Sequence, residues 1–225
     1  MASDATATVV LDVDGTLLDS NYHHALAWSR AFRHVGESVP VWRIHRAIGM
    51  GGDRLVAAAA GDRVEEEHGD DVRDRWKKEY DQLIDETRLL PGAVELLAAL
   101  RERGLSVALA SSSIPEHAQH AFDLLDADDL ADTATTSEDA EKSKPDPELV
   151  EKALSRVEAS SACVVGDSVY DVEAAQRAGI PAYGVLTGGY GRAELEEAGA
   201  AGVYTDLPEL LEHLDDWLPT GGQAG

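Results

Sequence analysis

The amino-acid sequence predicts an α/β protein with a mostly parallel sheet and a helical domain inserted after the first strand. Short apolar runs alternate with amphipathic helical patterns along most of the chain, which is typical of βα units. Three of these runs, 9–11, 105–110 and 162–165, lead directly into Asp, Ser or Gly residues. About seventy residues of helical pattern separate the first strand from the next, which is far longer than an ordinary connection.

The first predicted strand, Val9–Leu11, runs into a turn segment that carries two carboxylates, Asp12 and Asp14. Residues i and i+2 of an extended segment point to the same side, so we expect both carboxylates to project together from the end of the strand. Ligands of open α/β sheets bind at this end. Gly15 allows the chain to turn and leaves backbone N–H groups free to face an anion. An ordinary Asx-rich turn is the alternative interpretation.

The helical pattern between the first two strands predicts an inserted domain over residues 20–88, with the core formed by 1–19 and 89–225. Its first helix is expected at 21–34, where apolar residues recur at helical spacing and Ser20 is placed to act as N-cap. The stretch 40–88 stays helical and polar and offers no strand candidate.

Strand–helix alternation resumes after residue 88. Strands are predicted at 105–110, 133–136 and 162–165, with weaker ones at 181–186 and 202–204. The intervening helices are expected at 92–103, 115–125, 147–157, 171–178 and 207–217. Residues 1–6 and 220–225 are predicted to be loose tails. Repeated βα units imply right-handed crossovers between parallel strands.

The composition is strongly acidic, with 43 Asp and Glu against 19 Lys and Arg and a net charge of −24. Such a surface repels nucleic acid and anionic lipid, so neither is expected as a partner. An acidic, lysine-poor surface also resembles that of proteins from extreme halophiles, so we expect a halophilic source. No apolar run approaches the ~20 residues of a membrane helix, and the first residues lack a signal-peptide layout, which predicts a cytoplasmic protein. Cys163 is expected to be a buried thiol.

Polar side chains follow the ends of several predicted strands or lie just beyond them: Asp12, Asp14, Ser111, Lys144, Asp167 and Asp171. Each has an ordinary explanation by itself, as a turn residue, a solvated lysine or an acid favoured at a helix start. Together they predict one site at the carboxyl edge of the sheet. Adjacent carboxylates repel unless a proton or a cation lies between them.

This order of motifs resembles the haloacid dehalogenase (HAD) superfamily. The resemblance rests on Asp-x-Asp-Gly-Thr at 12–16, a hydroxyl residue after a second strand, a Lys before a helix, and Gly-Asp-x-x-x-Asp at 166–171. It implies a Rossmann-like three-layer α/β/α core. Residues 20–88 then resemble the superfamily's C1 cap, and the segment at 90–93 resembles the usual return to the core.

The resemblance also implies a role for each motif residue. Asp12 would be the nucleophile that takes the phosphoryl group, and Asp14 would be the general acid and base. Ser111 and Ser112 would bind the phosphoryl oxygens, and Lys144 would neutralise charge. Mg²⁺ would be held by Asp12, the backbone carbonyl of Asp14, and Asp167, with Asp171 supporting the metal shell, which agrees with the preference of Mg²⁺ for oxygen ligands.

The second aspartate, Asp14, favours a phosphatase, because the superfamily's dehalogenases lack it and its phosphonate hydrolases rely on a cap lysine. The nearest group is phosphoglycolate phosphatase and its relatives, acting on a small phosphorylated metabolite. A β-phosphoglucomutase is the alternative, since His24 and Trp28 match its His-x3-Trp pattern. The mutase cap loop carries a phosphate-gripping Arg, however, where this chain has Gly51-Gly52.

A non-catalytic receiver or other phospho-binding module is a further alternative, but receivers lack a helical insertion. Candidate substrate contacts from the cap are His24, Met50 and Arg54. His117 and His120 lie at i,i+3, but no second ligand pair accompanies them, which argues against a zinc site. A monomer or a homodimer is expected.

Overall fold

A computed structural model describes residues 7–219; the predicted tails 1–6 and 220–225 lie outside the described residues. The strands are β1 (Ala7–Leu11), β2 (Leu18–Asp19), β3 (Arg88–Leu89), β4 (Ser106–Ala110), β5 (Thr133–Thr135), β6 (Ser161–Gly166), β7 (Ala182–Val185) and β8 (Gly202–Tyr204). The helices are α1 (Asn21–His34), α2 (Val41–His45), α3 (Gly52–Ala60), α4 (Asp62–Tyr80), α5 (Ala93–Glu102), α6 (Pro115–Leu124), α7 (Ala127–Leu130), α8 (Glu148–Ser155), α9 (Val169–Arg177), α10 (Arg192–Glu197), α11 (Leu207–Glu212) and α12 (Leu214–Trp217).

Six parallel strands form the central sheet in the order β5-β4-β1-β6-β7-β8. The first strand, β1, lies near the middle, and all five of its residues are buried. Its side chains alternate between two hydrophobic clusters, with Val9 and Leu11 in one and Val10 in the other. This period of two is what a strand covered on both faces requires.

Helices cover both faces of the sheet and make the predicted three layers. On one face α5, α11 and α12 bury Leu97, Leu210 and Trp217 against β1 and its neighbours. On the other face α8 and α9 bury Leu149 and Val172. The Rossmann-like α/β/α class predicted from the sequence is therefore confirmed.

Four helices, α1 to α4, lie between β2 and β3 and bury a hydrophobic cluster of their own. Phe32, Ile44, Val56 and Val72 are fully buried in it. The amphipathic pattern of this region is thus satisfied within the insertion and not by the sheet. The domain bounds 20–88 stay a prediction that this separate cluster supports.

A short antiparallel pair at the base of these helices differs from the prediction. β2 and β3 pair through Leu18 with Leu89 and through Asp19 with Arg88. Two residues per strand are too few to show a period of two, which is why the sequence pattern gave no strand here. The pair brings the two ends of the helical insertion side by side.

Two further differences concern the ends of helices. The single helix expected over 207–217 is divided into α11 and α12 at His213, and α10 was not expected. Ser20 occupies the N-cap position of α1 but makes no side-chain cap bond, because its hydroxyl donates to Asp14 instead. Within residues 7–219 no helix combines the length and the apolar character that crossing a bilayer demands.

Trp217 offers a test of the core packing. Its side chain is 1% exposed, and its indole N–H donates to the backbone carbonyl of Leu210 at 3.0 Å. We expect Trp217→Ala to lower the free energy of unfolding by about 3–5 kcal/mol, since a large buried side chain is lost. Chemical denaturation measures this change.

Trp42 is the matched control, because it is the same residue type at 68% exposure. Trp42→Ala should change the free energy of unfolding by no more than about 0.5 kcal/mol. Equal losses for the two variants would contradict the assigned packing of α12.

Candidate active site

The ends of three neighbouring parallel strands bring the predicted site residues together. β4, β1 and β6 lie side by side. Ser111 directly follows β4, Asp12 follows β1, and Asp167 follows β6. Because the strands are parallel, these three residues lie at the same edge of the sheet, where open α/β sheets bind ligands.

Asp12 is buried at 6% exposure and paired with Lys144. The Lys144 ammonium also lies 2.8 Å from Oδ1 of Asp171 and donates to the backbone carbonyl of Ala110 at 3.3 Å. Burial alone would lower the pKa of Lys144, but Asp12 and Asp171 outweigh it and hold that pKa above its usual range. Lys144 is therefore a fixed positive charge in contact with Asp12.

Burial raises the pKa of Asp12 above its usual range, with Lys144 opposing this effect and Asp171 adding to it. Thr16, the last residue of the Asp-x-Asp-Gly-Thr motif, has its hydroxyl 3.2 Å from Oδ2 of Asp12 and 3.0 Å from Oδ1 of Asp167. The hydroxyl lies between the two carboxylates and donates its single hydrogen to one of them at a time.

Asp167 is also held by Asn21, the first residue of α1. Asn21 donates its side-chain amide to Oδ2 of Asp167 at 2.9 Å. Burial raises the pKa of Asp167 well above its usual value, and the charges of Asp12 and Asp171 add to the shift. Gly15 makes this approach possible: its φ is +83°, and a Cβ there would lie 2.3 Å from Nδ2 of Asn21.

Asp12, Asp167 and Asp171 form a cluster that fits a divalent cation. One oxygen of each carboxylate lies within 4.8 Å of the others, and all three residues are buried. A single ammonium, that of Lys144, faces three carboxylates, so the cluster carries excess negative charge where water cannot screen it. Hard oxygen ligands in this number suit Mg²⁺. The Asp14 side chain is not part of this cluster. That Asp14 would offer its backbone carbonyl stays a prediction.

Asp171 has a second role at the start of α9. Its Oδ2 accepts the backbone N–H of Ser168 at 3.1 Å and the Ser168 hydroxyl at 2.6 Å. The Asp171 backbone N–H donates in return to the Ser168 hydroxyl oxygen at 3.4 Å, and the two backbone bonds close a capping box. The box fixes the carboxylate while Oδ1 faces Lys144.

Asp14 has surroundings quite unlike those of Asp12. Oδ1 accepts the hydroxyl of Ser20 at 2.6 Å and lies 3.2 Å from Nε2 of His24, and Oδ2 accepts the hydroxyl of Ser113 at 2.8 Å. Burial would raise the pKa of Asp14, but His24, Ser20 and Ser113 together lower it below its usual value. The carboxylate is 19% exposed, so it remains accessible.

The His24 ring is sandwiched against the end of α4. It stacks on Tyr80 with ring centroids 3.8 Å apart and an interplanar angle of 6°. The Tyr80 hydroxyl is in turn hydrogen-bonded to Ser20, and burial raises the pKa of Tyr80. Tyr80 therefore supports two of the partners of Asp14 from within the helical insertion.

A small pocket opens onto these two aspartates. Asp12, Asp14, His24, Met50 and Ser112 contribute to its lining, along with residues of α1 and α3. Ser111, expected to bind phosphoryl oxygens, is fully buried behind it, and its hydroxyl oxygen accepts the backbone N–H of Ser113 at 3.1 Å. Among the described lining residues there is no Lys or Arg.

Of the three cap candidates, His24 and Met50 line the pocket and Arg54 does not. The Arg54 side chain is 39% exposed, and its nearest acidic neighbour is Asp53 at 3.9 Å. The histidines of α6 have side-chain neighbours of their own: Nε2 of His117 lies 2.8 Å from Oδ1 of Asp81, and Nε2 of His120 lies 3.2 Å from the Thr87 hydroxyl.

Sequence reasoning missed four residues that hold the aspartates: Ser20, Asn21, Tyr80 and Ser113. The first two follow the Asp-x-Asp motif within a few residues, so their hydrogen-bonding side chains were a usable signal. Ser113 stands in the Ser111-Ser112-Ser113 run, in which nothing local distinguishes one hydroxyl from the next. Tyr80 is distant in the chain and carried no signal.

Comparison with known proteins agrees with this geometry. A family model described as haloacid dehalogenase-like hydrolase matches residues 6–179. The chain is 31% identical over 192 residues to validoxylamine A 7'-phosphate phosphatase of Streptomyces hygroscopicus subsp. limoneus, covering 79% of this chain and 84% of that protein. It is 30% identical over 216 residues to a phosphoglycolate phosphatase of Cereibacter sphaeroides, covering 92% of this chain and 98% of that protein.

Solved structures give the same result. A hydrolase from Pseudomonas syringae superposes with a TM-score of 0.89 at 34% identity, over 94% of this chain and 99% of that one. A β-phosphoglucomutase from Clostridium difficile reaches a TM-score of 0.79 at 20% identity, over 93% and 95% of the two chains, and at that identity it shows the fold alone. The chain therefore belongs to the haloacid dehalogenase-like hydrolase family.

Proposed function

We propose that this protein is a Mg²⁺-dependent phosphatase that hydrolyses a small phosphorylated metabolite through an aspartyl-phosphate intermediate. The observation that carries the proposal is the contrast between two neighbouring carboxylates at the end of β1. Asp12 is buried against Lys144, whereas Asp14 lies among hydroxyls and His24 at the pocket wall. One is arranged as a nucleophile and the other as a proton carrier.

The enzyme is a phosphatase, since the family is one of hydrolases and relatives that cover most of the chain are named phosphatases. By their names, those relatives act on phosphoglycolate and on validoxylamine A 7'-phosphate. We infer a phosphoglycolate-like or sugar-phosphate-like substrate by analogy.

In the first step a carboxylate oxygen of Asp12 attacks the phosphorus of the substrate. An O–P bond to Asp12 forms, the P–O bond to the leaving alcohol breaks, and Asp14 gives its proton to the leaving oxygen. The phosphate of the substrate brings like charge beside Asp14, which favours the protonated carboxyl needed here. Lys144 offsets the charge on Asp12 and on the phosphoryl oxygens throughout.

In the second step Asp14, now a carboxylate, removes a proton from a water molecule. The water oxygen attacks the phosphorus, the O–P bond to Asp12 breaks, and inorganic phosphate leaves with Asp12 restored as a carboxylate. Asp14 regains the proton it gave away, so the cycle balances. His24, Ser20 and Ser113 hold Asp14 in place for both transfers.

Asp12, Asp167 and Asp171 would hold the cation, with the Asp14 backbone carbonyl completing the protein ligands. Bound Mg²⁺ supplies charge stabilisation of the phosphoryl group as a Lewis acid. Burial raises the pKa of Asp12 and that of Asp167. A cation held between these carboxylates would oppose that shift and favour the ionised Asp12 that attacks phosphorus.

The mutase and receiver alternatives are less well supported. A mutase passes the phosphoryl group to a second hydroxyl of a phosphorylated sugar, which needs a cation to grip a second phosphate. The small pocket at Asp12 has no Lys or Arg among its described lining residues, and the cations nearby, Arg73, Lys77 and Lys142, line the larger cavity beside it. A receiver keeps its phosphoryl group and needs no proton carrier, whereas the three partners that hold Asp14 at the pocket wall support such a role for it.

We also propose that residues 20–88 act as a cap over the site, since His24 and Met50 line the pocket from that segment. A cytoplasmic location, a monomeric or homodimeric state and a halophilic source stay predictions from the composition.

The nucleophile is tested by Asp12→Asn. The amide keeps the size of the side chain but cannot attack phosphorus, so turnover of p-nitrophenyl phosphate should fall by at least about a thousandfold. Asp19→Asn is the control, because Asp19 is exposed on β2 and outside the site. Steady-state kinetics, with circular dichroism to check folding, measures both. A variant within about tenfold of wild type would rule out the covalent route.

The metal is tested by removing divalent cations. Excess chelator should abolish turnover and Mg²⁺ should restore it, whereas Ca²⁺ should not, because its larger and looser coordination displaces the phosphoryl group. Mg²⁺ should also raise the melting temperature of wild type, since it binds the folded state alone. Asp167→Asn should lose most of that rise. Full activity in chelator would show that the carboxylate cluster holds no catalytic cation.

The phosphatase and mutase proposals are separated by product analysis. Incubation with β-glucose 1-phosphate and Mg²⁺ should release inorganic phosphate without interconversion, because water is the acceptor. Phosphorus NMR distinguishes the products directly. Glucose 6-phosphate as the main product would favour the mutase.

A further inference from the structure

The two histidines of α6 both contact the end of the helical insertion, His117 at Asp81 and His120 at Thr87. His117 differs from His120 in being buried, with 5% of the residue exposed. Its Nδ1 has no hydrogen-bond partner within the described residues. Burying a polar group without a partner costs free energy. A function for His117 is therefore sought in the side chains that surround it.

The His117 ring packs against the end of α4. Its centroid lies 4.7 Å from that of Tyr80, and it meets the Trp76 ring in a T-shaped contact at 5.4 Å with an interplanar angle of 77°. Asp81, which lies 2.8 Å from its Nε2, directly follows Tyr80 in the chain. His117 thus holds both the Tyr80 ring and the residue next to it.

Tyr80 connects this contact to Asp14. The Tyr80 hydroxyl is hydrogen-bonded to Ser20, and its ring stacks on His24. Ser20 donates to Oδ1 of Asp14 at 2.6 Å, and Nε2 of His24 lies 3.2 Å from the same oxygen. Two of the three partners of Asp14 are therefore supported by Tyr80, which is in turn supported by His117. A close-packed interior transmits displacements along such a series of contacts.

The third partner of Asp14 comes from the segment that leads into α6. Ser113 donates to Oδ2 of Asp14 at 2.8 Å, and α6 begins two residues later at Pro115. This part of the core thus reaches Asp14 directly through Ser113 and indirectly through His117. A shift of α6 against α4 would alter both routes.

We propose that His117 is a positioning residue for Asp14, acting through Tyr80 across the contact between α6 and α4. This inference rests on the proposed function, in which Asp14 gives its proton to the leaving oxygen. Proton transfer depends on the placement of the acid. Loss of His117 should therefore weaken the breaking of the P–O bond to the leaving alcohol, while Asp12 and Lys144 stay in place.

Two aryl esters of similar shape provide the test. Phenyl phosphate and p-nitrophenyl phosphate carry the same ring, but phenolate is the stronger base, so its departure depends more on a proton from Asp14. With saturating Mg²⁺, kcat/KM is measured for each ester, and the ratio of the phenyl to the p-nitrophenyl value is compared among variants. Hydrolysis of the aspartyl phosphate is common to both esters and does not enter this ratio.

Asp14→Asn should lower the ratio by about tenfold or more, because it removes the acid. His117→Ala should lower it by about fivefold, since the partners of Asp14 remain but lose a support. His120→Ala is the matched control, because it changes the same residue type one turn further along α6, where the side chain contacts the Thr87 hydroxyl. It should leave the ratio unchanged.

Asp81→Ala removes the contact with His117 from the other side. The Asp81 side chain is 51% exposed, so this substitution leaves no cavity in the core. It should lower the ratio by about threefold, because the His117 ring still packs on Tyr80. Thermal melts identify a variant that has failed to fold, and Asp81→Ala decides the question if His117→Ala does not fold.

An unchanged ratio in the folded variants, whether both esters lose equally or neither loses, would show that His117 is structural and would overturn the inference. A lowered ratio in Asp14→Asn would in that case leave the proposed function standing. An unchanged ratio in Asp14→Asn would instead contradict Asp14 as the acid, and the proposed mechanism would fall together with the inference.

Discussion

The contact of Lys144 with Asp12 and Asp171 is the interaction on which the site depends. Three carboxylates are buried at one end of the sheet, and burying a charge is costly unless it is paired and hydrogen-bonded. Lys144 pairs with two of them, Thr16 and Asn21 satisfy the third, and the α9 capping box holds Asp171. One ammonium cannot balance three carboxylates. The three carboxylates at the strand ends therefore favour a bound cation. Because such a cation would bind the folded state alone, its binding would stabilise the fold.

A second constraint connects the helical insertion to the proton carrier. The Asp14 carboxylate accepts hydrogen bonds from Ser113 of the core and Ser20 at the start of the insertion, and it lies next to His24. Tyr80, at the far end of α4, contacts both Ser20 and the His24 ring. Elsewhere in the insertion, the backbone carbonyl of Arg46 accepts the hydroxyls of Tyr170 and Tyr190 at 2.8 Å each. The insertion is thus joined to the core by a second set of contacts, and its position bears directly on the geometry of Asp14.

Much of the core could be predicted because its signals are local. The apolar run Val9–Leu11 predicts a buried strand. The i,i+2 spacing of Asp12 and Asp14 predicts that both carboxylates lie at its end, and this needs no knowledge of the rest of the fold. The features that escaped prediction depend on distant partners or on very short elements. β2 and β3 have two residues each. Ser20 was expected to cap α1, but its hydroxyl donates to the Asp14 carboxylate and makes no cap bond. Arg54 stands close to the glycine loop in sequence, yet it lies outside the pocket lining.

Local and distant signals also differ between the groups proposed to transfer the phosphoryl group and the residues that line the larger cavity. The groups proposed to transfer the phosphoryl group follow the ends of adjacent parallel strands, so the sheet brings them to one edge. The cavity of about 330 Å³ beside the pocket at Asp12 is instead lined by segments from α3, α4, the loop after β4 and the loop 137–143. Each segment contributes only one or a few residues, and none has a spacing that marks it as part of a site. Changes in these segments can alter the shape and polarity of the cavity without moving Asp12 or Lys144. The reacting groups can therefore be predicted from the sequence, whereas the lining of the cavity is known only from the fold.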